Sequence, residues 1–366
     1  SGLPPAKGLS PFRNPDWGRG YWIVKPSRLF LSERVFLTYM TIYSKVIGRL
    51  APSPTGFLHL GNAWAFFLAW LGARSRAGGL ILRMEDIDPV RSRSEYATAI
   101  MEDLRWLGLD WDGEVYVQSQ RLDLYARAIA GLEAKGLVYP CYCTRKELRE
   151  LASAPHMALS VGQGGGVGDL GAPYSGACRN LTLADRARLE AQGRRPCLRL
   201  EHPAQDMHIV DLVQGECGFK GEESGGDFAL RRSDGVFAYQ LAVSVDDAAM
   251  GVNQVVRGCD ILASTPRQIY LLGLLGGDVP EYAHVPLLLD AEGERLAKRH
   301  NSLRLTTLRE SGVAPEQVIG WLAWLAGLQD IARPAKPSEF LSAFDFSRLP
   351  KENIILGRET LPDFIP

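Results

Sequence analysis

Two short stretches carry side chains suited to concentrated negative charge. The first, Ala51-Pro52-Ser53-Pro54-Thr55-Gly56-Phe57-Leu58-His59-Leu60-Gly61-Asn62, breaks an apolar run at two prolines and sets His59 and Gly61 beside the start of an apolar helix. A helix N-terminus presents unpaired N–H groups, glycine permits close approach and histidine adds a donor, which together outline an anion site. The second, Arg295-Leu296-Ala297-Lys298-Arg299, is a basic loop far along the chain whose Lys298 offers a compact cation. A third group, Cys141-Tyr142-Cys143 and, after 30 intervening residues, Tyr174-Ser175-Gly176-Ala177-Cys178, holds three thiols and a phenol in two short clusters. That pattern is compatible with a tetrahedral structural zinc site and equally with buried thiols.

The elements around these residues follow an α/β grammar. Val46 to Ala51 is predicted as a buried strand, and Asn62 as the N-cap of a helix over 63–76 closed by Gly78-Gly79. A second strand over 80–85 ends in Glu85-Asp86-Ile87-Asp88, and helices are predicted at 94–107 and 122–135. Such alternation argues for a doubly wound parallel sheet, with ligands beyond the carboxyl ends of its strands, where Glu85 falls. Residues 138–200 read as an insertion with its own organisation: two close cysteines, a Gly-rich stretch from Gly162 to Gly171, and a polar helix over 182–192. The α/β pattern is expected to resume with a strand at 227–231, a helix at 239–250, a strand at 254–257, a helix at 265–275 and a strand at 285–289. The expected organisation is therefore an N-terminal extension (1–46), a first catalytic half (47–137), the insertion (138–200), a second half carrying the lysine loop (201–300) and a short helical C-terminal region (301–366).

Composition sets outer bounds. The chain has 366 residues, 46% of them hydrophobic, enough to bury a large core in two or three domains at about 100–200 residues each. Lys+Arg 41 against Asp+Glu 42 gives a net charge of -1, so a nucleic-acid surface has to be a local patch. Two clusters offer one: Arg179, Arg186, Arg188, Arg194, Arg195 and Arg199, and then Arg295, Lys298, Arg299 and Arg304. Six cysteines without a regular framework point to a reducing, cytoplasmic setting, and the longest apolar run, Ala63 to Ala73, is too short to span a bilayer.

The His59-Leu60-Gly61-Asn62 turn and the Lys298 loop, in that order and setting, resemble the two signature motifs of class I aminoacyl-tRNA synthetases. Arg295 and Ala297 depart from the lysine and serine more usual there, while Lys298 keeps the cation. Arg49 with Ala51-Pro52-Ser53-Pro54-Thr55-Gly56, Leu82-Arg83-Met84-Glu85-Asp86-Ile87-Asp88, Asp234-Gly235-Val236-Phe237-Ala238-Tyr239-Gln240 and Val256-Arg257-Gly258 resemble the glutamate pocket of the glutamyl branch. The resemblance implies a Rossmann-type catalytic fold with a zinc-bearing insertion, ATP with Mg²⁺ as cosubstrate, and L-glutamate as the amino acid. It implies catalytic roles for His59, Gly61 and Lys298, with His59 and Lys298 on ATP. Arg49, Ala51, Pro52, Ser53, Glu85, Tyr239 and Arg257 would form the glutamate site, the arginines clamping carboxylates and Glu85 facing the ammonium.

Spacing of the cysteine cluster resembles a subgroup that glutamylates queuosine of tRNA(Asp), which implies zinc on Cys141, Cys143, Tyr174 and Cys178. It also implies a tRNA(Asp) anticodon loop, carrying queuosine, as partner. The stretch after Lys298 reads as too short for the anticodon-binding region of full-length glutamyl-tRNA synthetases. The alternatives are a conventional glutamyl-tRNA synthetase in truncated form and a non-catalytic tRNA-binding paralogue; a monomer is expected in each case.

Overall fold

The computed structural model describes residues 22–23, 45–144, 146–148, 174, 176–203, 205–221, 226–294, 296, 303–357, 360–361 and 364. Most of the expected N-terminal extension, the Gly162 to Gly171 stretch and the signature-loop residues Arg295, Ala297, Lys298 and Arg299 lie outside the described residues.

In chain order the main elements are β1 (Trp22–Ile23), β2 (Ile47–Leu50), α1 (Leu60–Arg74), β3 (Gly79–Met84), α2 (Ser94–Trp106), β4 (Tyr116–Val117), α3 (Leu122–Ala134) and β5 (Val138–Cys141). There follow α4 (Leu183–Ala191), β6 (Cys197–Leu200), β7 (Met207–Asp211), β8 (Gly215–Phe219), β9 (Phe228–Arg231), α5 (Tyr239–Met250), β10 (Gln254–Gly258) and α6 (Thr265–Leu275). The chain ends with β11 (Glu281–Val285), β12 (Leu288–Leu289), α7 (Leu305–Glu310), α8 (Pro315–Leu325) and β13 (Ile354–Ile355).

β2, β3 and β4 form a parallel sheet, as do β10 and β11. The two sheets meet side by side at β2 and β10, where the Asn253 N–H donates to the Ile47 carbonyl at 3.0 Å and the Ile47 N–H to Asn253 Oδ1 at 2.7 Å. Chain order reverses at this seam, and the crevice beyond the strand ends at such a reversal is where α/β sheets place ligands. α1 is apolar on nearly every side, so it is buried on nearly every side. Trp64, Phe67, Leu68 and Leu71 are its centre, each worth roughly 1.5–3 kcal/mol on burial. Gly78 lets the helix end cross β2: a Cβ there would sit 2.6 Å from the Val46 carbonyl oxygen.

Five findings differ from the sequence reading. The N-cap of α1 is His59, one turn earlier than expected, and Asn62 is the third helical residue, its Oδ1 accepting the His59 N–H at 3.1 Å. β9 pairs antiparallel with β6, which pairs with β5, so the strand expected to resume the parallel pattern closes a separate antiparallel sheet. The β7–β8 hairpin was not anticipated; it docks on β11 through the Leu212 N–H to the Tyr282 carbonyl, 2.8 Å. The strand expected over 285–289 is split between β11 and β12. C-terminal to α7 the chain is only partly helical: Phe340 and Phe346 join the α1 core, and β13 pairs in parallel with β12. Among the described residues no helix is long and apolar enough to cross a membrane.

Candidate active site

The seam between β2 and β10 carries a buried charged cluster. Arg49, mid-strand on β2, is 5% exposed; its Nη1 donates to the Val256 carbonyl at 2.8 Å and its Nε lies 4.0 Å from Asp247. Arg83, on β3, is fully buried and binds Asp247 at 2.7 Å and Glu85 at 3.2 Å, with Asp246 at 3.9 Å. Burial alone would lower the Arg83 pKa, but Asp247, Glu85 and Asp246 more than offset it and raise it. Burial lowers that of Arg49, against Asp247, and raises that of Glu85, against Arg83 and Arg49. Tyr239, at the first turn of α5, is raised by burial and by Glu85, with Arg257 and Arg49 opposing. Arg49, Glu85, Tyr239 and Arg257, far apart in sequence, therefore share one electrostatic environment.

Arg257, at the end of β10, is held differently. Its Nε donates to His284 Nε2 at 2.9 Å, Nη1 to Gln268 Oε1 at 2.6 Å and Nη2 to Thr265 Oγ1 at 2.8 Å. Pro52 and Ala51 line the floor after β2, and the Glu85 N–H donates to the Pro52 carbonyl at 2.9 Å; Ser53 stands exposed at the rim.

His59 caps α1 with its ring. Nδ1 accepts the Gly61 N–H at 3.1 Å, which leaves the proton, and a donor, on Nε2. Burial depresses its pKa to about 4, so the imidazole is neutral near pH 7. Gly61 sits in a tight space: a Cβ would lie 3.1 Å from Nδ1 and Cε1 of His59 and push against the ring. The chain that follows the lysine loop passes here: Arg304 forms an antiparallel bridge with His59, and the Leu305 N–H donates to the Leu58 carbonyl at 2.9 Å.

A family model of class I tRNA synthetases (E and Q), catalytic domain, matches residues 45–362. The chain belongs to that family. Glutamyl-Q tRNA(Asp) synthetase of Nitratidesulfovibrio vulgaris is 55% identical to this synthetase over 322 residues, 86% of this chain and 96% of its own length. Glutamate–tRNA ligase 2 of Syntrophus aciditrophicus is 42% identical over 323 residues, 86% of this chain and 64% of its own length. Among solved structures, a glutamate tRNA ligase from Elizabethkingia meningosepticum in complex with its amino acid aligns with a TM-score of 0.71 at 26% identity, covering 87% of this chain and 68% of that one.

Away from the pocket, the synthetase gathers Cys141, Cys143 and Cys178 with their sulfurs within 4.8 Å of one another. Cys143 and Cys178 sulfurs are 3.6 Å apart, and the Tyr174 hydroxyl lies 3.3 Å from Cys141 and 3.7 Å from Cys143. A tetrahedral ion with bonds of about 2.3 Å to sulfur demands ligand separations of about 3.8 Å, so this donor set fits zinc. A hydrogen bond from Cys197 lowers Cys141 to about 4, whereas burial pushes Cys143 up to about 12 and raises Tyr174. A divalent cation would supply the charge that deprotonates the rest. Cys197 is the ladder partner of Cys141; only the β5–β6 register reveals it.

The sequence reading also missed Asp246, Asp247, Asp211 and His284, all buried. No short motif marks them. The basic cluster expected to meet tRNA is largely occupied: Arg179 binds Asp227 at 2.7 Å, Arg188 Asp185 at 3.0 Å and Arg194 Glu147 at 3.0 Å, while Arg199 is buried over the Tyr174 ring. Arg195 is exposed, as are Arg91, Arg93 and Arg304 near the cleft.

Proposed function

We propose that this synthetase activates L-glutamate with ATP and Mg²⁺, without tRNA, and transfers the glutamyl group to queuosine at the wobble position of tRNA(Asp). The observation that carries the reading is the buried seam in which Arg49, Arg257, Glu85 and Tyr239 meet beside the His59 helix start. Glutamate bears two carboxylates and one ammonium, and this set supplies two cations, one anion and a hydroxyl to match them. The amide of glutamine would leave an arginine without its charged partner in a buried site, which favours glutamate.

In the first step the substrate α-carboxylate attacks the α-phosphorus of ATP, and pyrophosphate leaves. His59, neutral, donates from Nε2, and the α1 N-terminus adds the positive end of its dipole. Lys298 is assigned the remaining countercharge. Gly61 keeps the His59 ring folded against the helix start. A ribose-like hydroxyl of queuosine then attacks the glutamyl carbonyl, and AMP leaves. Zinc is assigned to Cys141, Cys143, Tyr174 and Cys178, where it would cross-link the antiparallel sheet and take no part in the chemistry. Support for queuosine over a tRNA 3' end comes from the higher identity to the glutamyl-Q relative, 55% against 42%.

The test is transfer of labelled glutamate to defined tRNAs. Queuosine-containing tRNA(Asp) should accept it through a base-labile ester, with its 3' end blocked or free. Equal labelling of tRNA(Glu), or of tRNA(Asp) lacking queuosine, would identify a conventional glutamyl-tRNA synthetase instead. No pyrophosphate exchange with glutamate would identify a binding protein.

A further inference from the structure

Arg257 is unusual among the buried arginines of this site. Arg83 is surrounded by carboxylates and Arg49 lies 4.0 Å from one, but every side-chain hydrogen-bond partner of Arg257 among the described residues is uncharged. A guanidinium has five N–H donors; His284, Gln268 and Thr265 take three, which leaves two, the number a carboxylate binds in a fork. The positive charge of Arg257 is thus left for a ligand.

One of the three bonds that fix the plane of that guanidinium is made at its Nε. Guanidinium cannot accept a hydrogen bond, so His284 Nε2 must carry a lone pair and Nδ1 the proton. Nδ1 lies 2.6 Å from Asp211 Oδ2. Asp211 is itself pinned in the β7–β8 turn by the N–H groups of Val213 and Gln214, each at 2.9 Å, and by the His284 N–H at 3.1 Å. Asp211, His284 and Arg257 are 2%, 0% and 5% exposed, so no water competes for these bonds. The Tyr282 ring stacks on His284 at 5.8 Å and lies under the Arg257 guanidinium at 5.3 Å, closing the remaining side. Proton placement on Nε2 instead would set two donors against each other in a dry site.

We infer that Asp211 and His284 are positioning residues for Arg257: Asp211 holds the imidazole in the Nδ1-protonated tautomer, and the imidazole orients the guanidinium fork, setting the preference for glutamate over glutamine. The inference rests on the reading of Arg257 as the clamp on the side-chain carboxylate of glutamate, the group that glutamine replaces by an amide. A histidine tautomer held by a buried carboxylate is the general logic of hydrolytic triads, applied here to an arginine instead of a nucleophile.

The experiment is ATP–pyrophosphate exchange with glutamate and with glutamine. Arg257→Ala checks the underlying reading and should raise the glutamate KM more than any other variant of the set. His284→Phe keeps a planar ring and removes the acceptor; it should raise the glutamate KM by about 10- to 100-fold, the worth of a bond to a charged group, with kcat at saturating glutamate changed far less. Its glutamate-to-glutamine preference should fall in step. His284→Gln, which restores an acceptor, should recover most of the loss, a result that a merely space-filling role would not produce. If Arg257→Ala leaves KM at the parent value, the clamp reading fails. If Arg257→Ala raises KM and folded His284→Phe does not, the clamp stands and the positioning role is overturned. Should the His284 variants not fold, nitrogen NMR of the histidine-labelled parent protein decides: His284, assigned through its contact with the Tyr282 ring, should show a protonated Nδ1 and bare Nε2 from about pH 5.5 to 8. An Nε2-protonated His284 would overturn the inference without any variant.

Discussion

Replacing Arg83 by methionine should be among the most damaging single changes in the molecule. Arg83 is 0% exposed and meets Asp247 at 2.7 Å and Glu85 at 3.2 Å. At an effective dielectric of about 20, a unit pair at that separation is worth about 6 kcal/mol before desolvation is subtracted. Methionine fills much of the volume, so the cost comes from the two carboxylates it strands, with Arg49 Nε 4.0 Å from Asp247 as the nearest remaining help. Breaking a buried pair from one side costs about 3–5 kcal/mol, and that is the expected loss in equilibrium urea denaturation. Adding Asp247→Leu removes one stranded charge and should recover at least about 1 kcal/mol of it. Arg188→Met is the control: the Arg188–Asp185 pair is 68% and 34% exposed, and its loss should leave the urea midpoint close to the parent's. A single Arg83→Met variant within 1 kcal/mol of the parent, or a double variant worse than the sum of its parts, would refute the claim that Arg83 neutralises this cluster.

Gly61→Ala should lower pyrophosphate exchange by about 10- to 100-fold with little change in melting temperature, because its Cβ would lie 3.1 Å from the His59 ring and displace its Nε2 donor; parent-level exchange would remove spatial constraint as the reason for glycine. Freshly purified protein should carry about one zinc per chain by elemental analysis, and Cys178→Ser should lose it; a metal-free parent prepared without chelator would end the zinc assignment. Asp103, fully buried against Thr306 and Arg309, is held up at about 6 by burial, so the folded protein binds more protons than the unfolded chain between about pH 4 and 6. Its contribution to stability is present below about pH 4 and lost as pH rises through about 6; relative to Asp103→Asn, the parent should lose up to about 3 kcal/mol between those limits in urea titrations, and parallel pH profiles would contradict the assignment.

Much of this was legible in the linear sequence, for a physical reason. β2, the breaking turn at Pro52 and Pro54, and α1 are specified by neighbours: an apolar run, residues that cannot continue it, then an apolar helix. Helices α5 and α6 fall at 239–250 and 265–275 as the periodicity predicts, because caps such as Gly251 and Gly276, both with positive φ, are local signals. Arg49, Glu85, Tyr239 and Arg257 could be named because each sits in a short stretch bearing a resemblance. The cap of α1 was misplaced because His59 and Asn62 both take part in one reciprocal capping box, and only the backbone geometry says which of them is the cap. Partners contributed by distant strands left no local trace. Asp211 and His284 meet Arg257 only because the β7–β8 hairpin docks on β11 and β11 pairs with β10. Cys197 reaches Cys141 through the β5–β6 register, and Arg179 and Arg194 are spent on acids that folding brings to them. Hydrogen bonding between strands depends on register, and register is a property of the assembled sheet; the sequence determined which groups exist, and tertiary structure decided which of them still have charge to offer a ligand.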